Sequence, residues 1–224
     1  MPGLPHVTVE TDHTAVERRL LDVALRPGTI ALDAGCGRTT RLRNYRDRIV
    51  RLVGIDADEE AGRANPYLDE FLPTDLDDPL PFEDASFDLV YANFVLEHLA
   101  HPDRAFTEWR RVLRPGGSLL LLTSNRASPL MAAADRLPER LRLSIKRRGA
   151  GAAERDVYPT RYLANTPRRL AQMAVAAGFE PISVEYVGTL HRYGARVPGA
   201  ARVLRTVERL LPVDRRSTIV AAYR

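Results

Sequence analysis

The sequence predicts a doubly wound α/β fold with a mostly parallel, seven-stranded sheet. Short apolar runs alternate with helical patterns along the chain, as a parallel sheet covered by helices on both faces requires. A glycine-containing turn, Gly35 and Gly37, follows the first of these runs, where strand-to-helix turns of such folds bind ligands. The 224 residues, 45% of them hydrophobic, suit a single domain over 1–224 better than two domains.

The individual elements follow from the spacing of apolar residues. A leading helix is predicted over Ala15–Leu25, because apolar residues recur there at helical spacing and Arg26-Pro27-Gly28 follows as a stop signal. A second helix is expected after Gly37. Short apolar runs predict strands at Thr29–Ala34, Ile49–Asp56, Glu70–Thr74, Ser86–Ala92, Ser118–Thr123, Glu180–Val187 and Thr218–Tyr223. Longer periodic runs predict further helices at Pro102–Leu113, Thr166–Ala177 and Ala200–Leu211.

Composition argues against several classes of protein. No segment approaches the roughly 18 consecutive apolar residues of a membrane-spanning helix, and Met1–Thr14 lacks the pattern of a signal peptide, so a soluble cytoplasmic protein is expected. Cys36 is the only cysteine, which leaves no disulfide framework and no thiolate cluster. The histidines show no zinc spacing, and Asp77 and Asp78 are interpreted as turn residues before Pro79. No metal site is expected.

The net charge of +4 is unevenly distributed along the chain. Residues 1–125 hold 14 basic and 21 acidic side chains, whereas residues 126–169 hold 11 basic and 4 acidic ones. A basic stretch can attract nucleic acid, an anionic membrane surface or an acidic substrate. All the basic residues except Lys146 are arginines, which indicates a codon bias toward arginine, so the basic pI is weak support for nucleic-acid binding.

The turn Asp33-Ala34-Gly35-Cys36-Gly37 is the first candidate ligand site. Glycines let the backbone turn sharply and approach a ligand closely, and free amides at the start of the next segment favour a carboxylate or phosphate. Glycines in this turn also occur for packing reasons alone, so the turn by itself is a weak signal. A dinucleotide fingerprint would require a third glycine at Thr40, which disfavours a nicotinamide-dependent dehydrogenase.

Two carboxylates follow at the ends of later strands. Asp56 ends the second strand about twenty residues after the glycines, where it could accept hydrogen bonds from both hydroxyls of an adenosine ribose. Nicotinamide cofactors and S-adenosylmethionine (SAM) both contain that ribose. The alternative is that Asp56 is a solvated acid at a strand end and binds no ligand. Asp75 closes the third strand, where it could accept a hydrogen bond from the adenine amino group while Leu76 offers an apolar wall and a backbone amide.

Six pieces of the first 125 residues resemble the class I SAM-dependent methyltransferases, and specifically the type 11 group typified by small-molecule methyltransferases of ubiquinone and menaquinone biosynthesis. Their order along the chain is far more specific than any one piece. The pieces are Leu32-Asp33-Ala34-Gly35-Cys36-Gly37, Val53-Gly54-Ile55-Asp56, Asp75 with Leu80-Pro81-Phe82, Ser86-Phe87-Asp88-Leu89-Val90, Leu96-Glu97-His98-Leu99 and Val112-Leu113-Arg114-Pro115-Gly116-Gly117.

The resemblance implies SAM as the cofactor and an antiparallel hairpin of the last two strands. It implies that Asp33 and the glycines surround the methionine part of SAM, Asp56 the ribose, and Asn93 the rim beside the methyl group. The family often has a third glycine where this chain has Thr39. The cofactor-binding residues expected on this basis are Asp33, Ala34, Gly35, Cys36, Gly37, Asp56, Ala57, Asp75, Leu76 and Asn93.

An insertion, Arg126–Asn165, hangs from the fifth strand at the carboxyl edge where ligands of such sheets bind. Its apolar residues alternate with basic ones, including Arg140, Lys146, Arg147 and Arg148. One interpretation is a lid that selects an acidic or lipid-linked acceptor or contacts a membrane peripherally. The other is an amphipathic helix with a solvated basic face. The helix Ala200–Leu211 is a further candidate to cover the site.

Catalysis is predicted least sharply. Methyl transfer needs an acceptor held in line with the methyl group, and a general base only when the acceptor carries a proton. His98, expected with Glu97 at the start of a helix beyond the fourth strand, is the candidate base, although a structural histidine is the commoner case. Tyr158, Tyr162, His191 and Tyr193 are further pocket candidates.

A SAM-dependent methyltransferase of a small-molecule or lipid-linked acceptor is therefore the leading hypothesis. A nucleic-acid methyltransferase is the weaker one, because Asn93-Phe94-Val95 replaces the Asn-Pro-Pro turn of enzymes that methylate amino groups, and no interleaved basic and aromatic surface is evident. A non-catalytic adenosine-binding protein stays open, because cofactor binding alone does not prove turnover.

Overall fold

The computed structural model describes residues 12–136, 159–192 and 199–224. The strands are β1 (Thr29–Ala34), β2 (Ile49–Asp56), β3 (Glu70–Pro73), β4 (Phe87–Asn93), β5 (Leu113–Ser124), β6 (Pro181–Val187) and β7 (Thr218–Tyr223). The helices are α1 (His13–Ala24), α2 (Glu59–Arg63), α3 (Pro102–Val112), α4 (Pro129–Asp135), α5 (Pro167–Ala176) and α6 (Ala200–Leu210), with short 3₁₀ segments at Arg41–Tyr45, Leu190–Arg192 and Val213–Arg215.

The seven strands form one sheet in the order β3-β2-β1-β4-β5-β7-β6. The first five pair in parallel, and β7 pairs antiparallel with both β5 and β6. The predicted doubly wound sheet with an antiparallel end is confirmed. Thr218 pairs with Ser124 on one side and Val187 on the other, so the connection from β6 to β7 emerges at the carboxyl edge of the parallel strands.

Helices cover both faces of the sheet, which explains why the strands are apolar on both sides. On one face α3 and α5 bury Phe106, Trp109 and Leu170 against the sheet. On the other face α1 packs Val16 and Leu21 against residues of β4 and β5. The two apolar clusters hold the strands rigidly, and the carboxyl ends of β1, β2 and β4 therefore form a fixed edge.

Two expected helices are wrong. The segment after Gly37 forms only the 3₁₀ turn Arg41–Tyr45, because the Thr40 hydroxyl accepts from the Leu42 amide and Arg48 closes the turn on Tyr45. Glu97 and His98 lie in a turn and do not begin a helix.

The helix beyond β4 begins only at Pro102. The carboxylate of Asp77 accepts hydrogen bonds from the amides of Ala100 and His101, at 2.8 and 2.6 Å. Pro102 has no amide hydrogen and stands at the first helical position, which suits the start of a helix. Asp77 is thus a turn residue, as predicted, and it also satisfies the amides ahead of α3.

The insertion Arg126–Asn165 is closed at its base. The Arg126 amide donates to the carbonyl of Asn165 at 2.7 Å, so the two ends of the insertion meet beside the end of β5. Its first part contains α4, and residues 137–158, with Arg140, Lys146, Arg147, Arg148 and Tyr158, lie outside the described residues. In the part of the chain that the structure describes, no helix combines the length and apolar character needed to cross a membrane.

Candidate cofactor and acceptor site

The glycine turn after β1 is held on the end of β2. The amides of Gly35 and Cys36 donate to the Ile55 carbonyl, at 2.8 and 3.1 Å. Gly35 has φ of +79°, and a Cβ there would lie 2.1 Å from the Cγ2 atom of Val95. Gly35 is therefore required both for its left-handed backbone and for the close approach of the segment that follows β4.

Asp56 ties the same turn to the end of β2. One carboxylate oxygen accepts from the Gly37 amide at 2.8 Å and the other from the Asp58 amide at 2.9 Å. Each oxygen has a second lone pair, and the residue is half-buried, so the carboxylate can accept further hydrogen bonds. Ala57 beside it is exposed. Asp56 thus shapes the turn in addition to the ribose role that its position predicts.

Asn65 is a residue of this site that sequence reasoning missed. Its side-chain amide donates to the carbonyls of Cys36 and Gly37, at 3.2 and 3.1 Å, and it is almost fully buried. Because its amide group donates to backbone carbonyls, no spacing of side chains in the sequence predicts the role of Asn65. The only local signal is its place in the turn between α2 and β3, immediately before Pro66.

Asp33 is a buried acid with an unused oxygen. Its side chain is 2% exposed, and burial together with the negative charge of Asp56 raises its pKa to about 7, against a hydrogen bond from Thr40. Among the described residues, its Oδ2 atom finds no hydrogen-bond partner. A buried carboxylate without a full set of partners is costly and is suited to a cationic ligand group.

Asn93 lies at the end of the neighbouring strand, two residues beyond Tyr91, the residue that pairs with Asp33. Ala34 pairs with Ala92, so Asn93 lies beside Gly35 at the next level of the sheet. Its Oδ1 atom is also buried without a hydrogen-bond partner in the described part of the chain. The next residue, Phe94, has φ of +54°, which is unfavourable for a bulky side chain. Strain and an unused acceptor together mark the end of β4 as a ligand-binding edge.

The remaining predicted cofactor residues lie around this edge. Ala34 and Cys36 are buried in the turn, and burial raises the pKa of the Cys36 thiol, which makes it unreactive. Asp75 is exposed and accepts from the Asp77 amide at 2.9 Å. Leu76 is buried in the first apolar cluster. Asp75 and Leu76 follow β3, the strand beside β2, so they lie on the Asp56 side of the turn.

A buried hydrogen-bond network that the sequence analysis did not predict lies next to the glycine turn. Glu17 of α1 accepts hydrogen bonds from the Tyr91 hydroxyl and, at 3.0 Å, from Arg41. Burial raises the pKa of Glu17, and Arg41 opposes that effect. Arg41 directly follows Thr40, the hydrogen-bond partner of Asp33. Through Glu17, helix α1 and strand β4 therefore hold the segment that follows the glycine turn.

The turn after β4 is built around Glu97. Its buried carboxylate accepts from the hydroxyls of Thr123 and Ser124, at 2.9 and 3.1 Å, and burial raises its pKa. Its carbonyl accepts from the amides of Arg161 and Tyr162. Glu97 therefore joins the end of β5 to the returning end of the insertion.

His98 is oriented by the same returning segment. Its Nδ1 atom lies 2.6 Å from the Pro159 carbonyl. A carbonyl only accepts hydrogen bonds, so the proton of this contact lies on Nδ1. Tyr162, with φ of +54°, lies under the guanidinium of Arg126 at 4.7 Å. His191 lies beyond β6, and Tyr193 falls outside the described residues.

Within residues 12–136, 159–192 and 199–224, no group of histidine, cysteine and acidic side chains could hold a metal ion.

The fold, the glycine turn and the acid at the end of β2 define a class of protein that binds an adenosine-containing ligand at the carboxyl edge of a doubly wound sheet. Residues 32–121 match the family described as a methyltransferase domain. The ubiquinone/menaquinone biosynthesis C-methyltransferase UbiE of Neisseria meningitidis is 34% identical over 188 residues, which are 81% of this chain and 74% of that protein.

Two further comparisons agree. A malonyl-[acyl-carrier protein] O-methyltransferase of Erwinia pyrifoliae is 36% identical over 115 residues, 49% of this chain and 43% of that protein. The solved structure of geranyl diphosphate C-methyltransferase from Streptomyces coelicolor, with Mg²⁺, geranyl diphosphate and S-adenosyl-L-homocysteine, shares the fold with a TM-score of 0.62 at 16% identity, over 94% of this chain and 77% of that chain. The chain spans less than half the length of several curated relatives that it matches.

This protein belongs to the class I SAM-dependent methyltransferases. Its cofactor is SAM, as the sequence predicted.

Proposed function

We propose that this methyltransferase acts on a small-molecule or lipid-linked acceptor that enters at the carboxyl ends of β4 and β5. The observation that carries the proposal is that two buried acceptor atoms at this edge, Asp33 Oδ2 and Asn93 Oδ1, have no hydrogen-bond partner in the described residues. Buried polar atoms are almost always hydrogen-bonded. Two on neighbouring strand ends beside Gly35 therefore fit the polar end of a bound cofactor, which would direct the methyl group toward β4.

Bound SAM supplies an electrophilic methyl group on a sulfonium centre. The residues that would hold it are those already tied to the glycine turn. Ionised Asp33 complements the ammonium group of the methionine part, and Asp56 accepts from the ribose through its remaining lone pairs. Asp75 and the Leu76 amide stand where the adenine would extend. The fixed edge between the two apolar clusters keeps these groups in position without rearrangement.

His98 is the proposed proton acceptor. With its Nδ1 proton donated to Pro159, His98 would take a proton from an acceptor hydroxyl or an acidic C–H bond through Nε2. Glu97 is a positioning residue, because it fixes the turn that carries His98 to Thr123 and Ser124. An acceptor that is already ionised needs no base, and His98 would then only orient it.

The acceptor class is proposed from relatives and from position. One relative is named for a step of ubiquinone/menaquinone biosynthesis, a second for malonyl-[acyl-carrier protein] and a third for geranyl diphosphate. We propose that the insertion 126–165 is a substrate lid within the single domain 1–224, because its two ends meet beside the end of β5, at the edge where the acceptor would enter. The single cysteine, a buried free thiol, fits a reducing compartment, and we place the reaction in the cytoplasm.

Methyl transfer from isotopically labelled SAM to a short-chain hydroquinone, a malonyl thioester and geranyl diphosphate tests the proposal. We expect label in one of these acceptors, with His98→Gln slowing transfer at least tenfold and leaving SAM affinity within twofold. Rescue of His98→Gln at alkaline pH supports a base. Label entering only a nucleic acid favours the alternative nucleic-acid methyltransferase, and tight SAM binding with no transfer to any acceptor favours a non-catalytic adenosine-binding protein.

Reversing the charges of Arg140, Lys146, Arg147 and Arg148 tests the lid. If the basic insertion meets an acidic acceptor, the variant loses acceptor affinity while cofactor affinity stays the same, and the affinity of the unaltered protein for the acceptor falls as salt rises. Equal losses for both ligands indicate general destabilisation, and no loss for either assigns the insertion to a solvated helix.

A further inference from the structure

The helix α6 buries its acid and exposes two of its large apolar residues. Glu208 is 2% exposed, whereas Val203 is 61% and Leu210 is 81% exposed. The usual arrangement of a surface helix is the reverse, with the apolar stripe facing the core. Leu210 is the most exposed of the large apolar side chains in the described ranges. In α1, α3 and α5, by contrast, apolar residues are buried against the sheet.

The orientation of α6 is fixed by Glu208. One carboxylate oxygen accepts from the Leu190 amide at 2.9 Å, and the other accepts from the Ser217 hydroxyl. Gly188 makes room for it, because a Cβ there would lie 2.9 Å from the carboxylate. Burial raises the pKa of Glu208, so burying this acid opposes folding unless its hydrogen bonds offset the lost hydration. The protein thus anchors α6 through a polar residue and leaves the apolar stripe outward.

The exposed surface of α6 has two adjoining stripes. Val203, Val207 and Leu210 follow one another at helical spacing and form the apolar stripe, in which Val207 is half-buried between its two exposed neighbours. Beside it stand Arg202, Arg205 and Arg209, which are all exposed. Residues 199–224 hold six basic and two acidic side chains, and one of those acids is the buried Glu208. A short helix with an apolar stripe bordered by arginines has the composition of helices that lie in the interface of an anionic membrane.

Exposed apolar residues elsewhere lack this context. Val23 and Val175 are each 67% exposed, but they are single residues on helices whose other apolar side chains face the core, which is common on protein surfaces. The stripe on α6 lies on the connection from β6 to β7, at the carboxyl edge that also carries the glycine turn. Leu163, half exposed, and the exposed Arg161 lie at that edge too.

We propose that α6 docks on an anionic membrane surface, with Val203, Val207 and Leu210 in the acyl boundary and the three arginines on lipid phosphates. Docking through this helix turns the carboxyl edge of the sheet toward the bilayer. A lipid-linked acceptor would then reach the site from the membrane. That consequence rests on the proposed function, whereas the docking itself does not.

Sedimentation of the full chain with lipid vesicles tests the docking. We expect the protein to bind vesicles of phosphatidylcholine with 30% phosphatidylglycerol, and to bind pure phosphatidylcholine at least tenfold more weakly. Raising salt from 50 to 500 mM should weaken binding severalfold, because the arginine contribution is screened. Val203→Asp with Leu210→Asp should reduce binding at least tenfold, and so should reversing the charges of Arg202, Arg205 and Arg209.

The matched control is Val23→Asp with Val175→Asp, which places two acids at equally exposed valines away from α6. We expect it to bind vesicles within twofold of the unaltered protein. Failure of the unaltered protein to bind anionic vesicles, equal binding to neutral vesicles, or equal losses in the control and α6 variants would each overturn the proposal. SAM affinity measured without vesicles stays the same in every variant, so a protein that binds vesicles but not SAM refutes the proposed function alone.

Discussion

The two sides of the sheet hold their carboxyl ends by different means. On the side of β1 and β2, the glycine turn is fixed by backbone hydrogen bonds to Ile55 and by Asp56, all between two strands that follow each other in the chain. On the side of β5 and β7, the ends are fixed by side chains from distant segments, including Glu97 on Ser124 and Glu208 on Ser217. On the proposed cofactor side, the contacts that close the glycine turn are thus local in sequence, with support from Glu17 behind them, whereas the proposed acceptor side is held by long-range polar contacts.

The largest expected effect concerns the close approach at Gly35. Gly35→Ala should lower SAM affinity at least a hundredfold and destabilise the fold by about 2–4 kcal/mol, because it adds left-handed backbone strain and overlap with Val95. Calorimetry with SAM and urea unfolding measure the two effects. Gly116→Ala is the matched control, since Gly116 has the same φ of +79° with no atom within 4 Å of its Cβ position.

The same experiment has a rescue arm. Val95→Ala in the Gly35→Ala background removes the overlapping methyl groups and should restore part of the affinity. Equal losses in the free energy of unfolding for Gly35→Ala and Gly116→Ala would show that only backbone strain matters. The close approach of Val95 to Gly35 would then have no effect on stability.

Asp56 gives the next largest effect. Asp56→Ala should weaken SAM and its demethylated product alike, by about 1.5–3 kcal/mol, because charge-assisted hydrogen bonds to the ribose are lost. Asp58→Ala, which removes the cap of α2 at 2.9 Å from the Ala61 amide, controls for local loosening. Unchanged affinity in a folded Asp56→Ala variant would remove Asp56 from the site.

Asp33 should make cofactor binding depend on pH. Its pKa of about 7 without ligand means that the acid is neutral below neutrality and a carboxylate above it. A cationic ligand group favours the carboxylate, so SAM affinity should rise as pH increases from 6 to 8, by roughly tenfold, and level off above. Asp33→Asn should remove the rise. A rise that persists in Asp33→Asn would assign it to another group.

The raised pKa of Asp33 should also make the stability of the ligand-free protein fall as pH rises, whereas SAM affinity rises. The unfolded acid ionises near its ordinary pKa of 3.8 while the folded acid stays protonated to about 7. The unfolded state therefore holds fewer protons between these values, and stability of the ligand-free protein falls across that window, by on the order of 4 kcal/mol at most. Asp33→Asn should flatten this part of the profile measured by urea unfolding.

The smallest expected effect lies on the acceptor side. Glu97→Gln should slow methyl transfer threefold to tenfold and leave SAM affinity within twofold, because one of the hydroxyl contacts to β5 is lost and the His98 turn loosens. Steady-state kinetics with saturating SAM measure it. A loss of SAM affinity equal to the loss of rate would mean that the two sides are not separable.

Features with a local sequence signal were predicted, whereas features that depend on contacts between distant residues were not. Three strands, β1, β2 and β7, were predicted with the bounds that the structure has, because apolar runs between turn residues are local signals. The glycine turn and Asp56 were found by their spacing. Asn65 and Glu17 were missed, because their partners are backbone carbonyls or side chains far away in sequence. The helix expected after Gly37 was wrong because side-chain hydrogen bonds of Thr40 favoured a tight turn.

Hydrogen–deuterium exchange with and without S-adenosyl-L-homocysteine tests the central claim that the ends of β1, β2 and β4 hold the cofactor while the β5–β7 side is left for the acceptor. The account predicts new amide protection in 33–40, 55–58 and 93–95, and unchanged exchange in 126–136 and 200–210. Protection concentrated in the latter two segments, or none in the glycine turn, would contradict it.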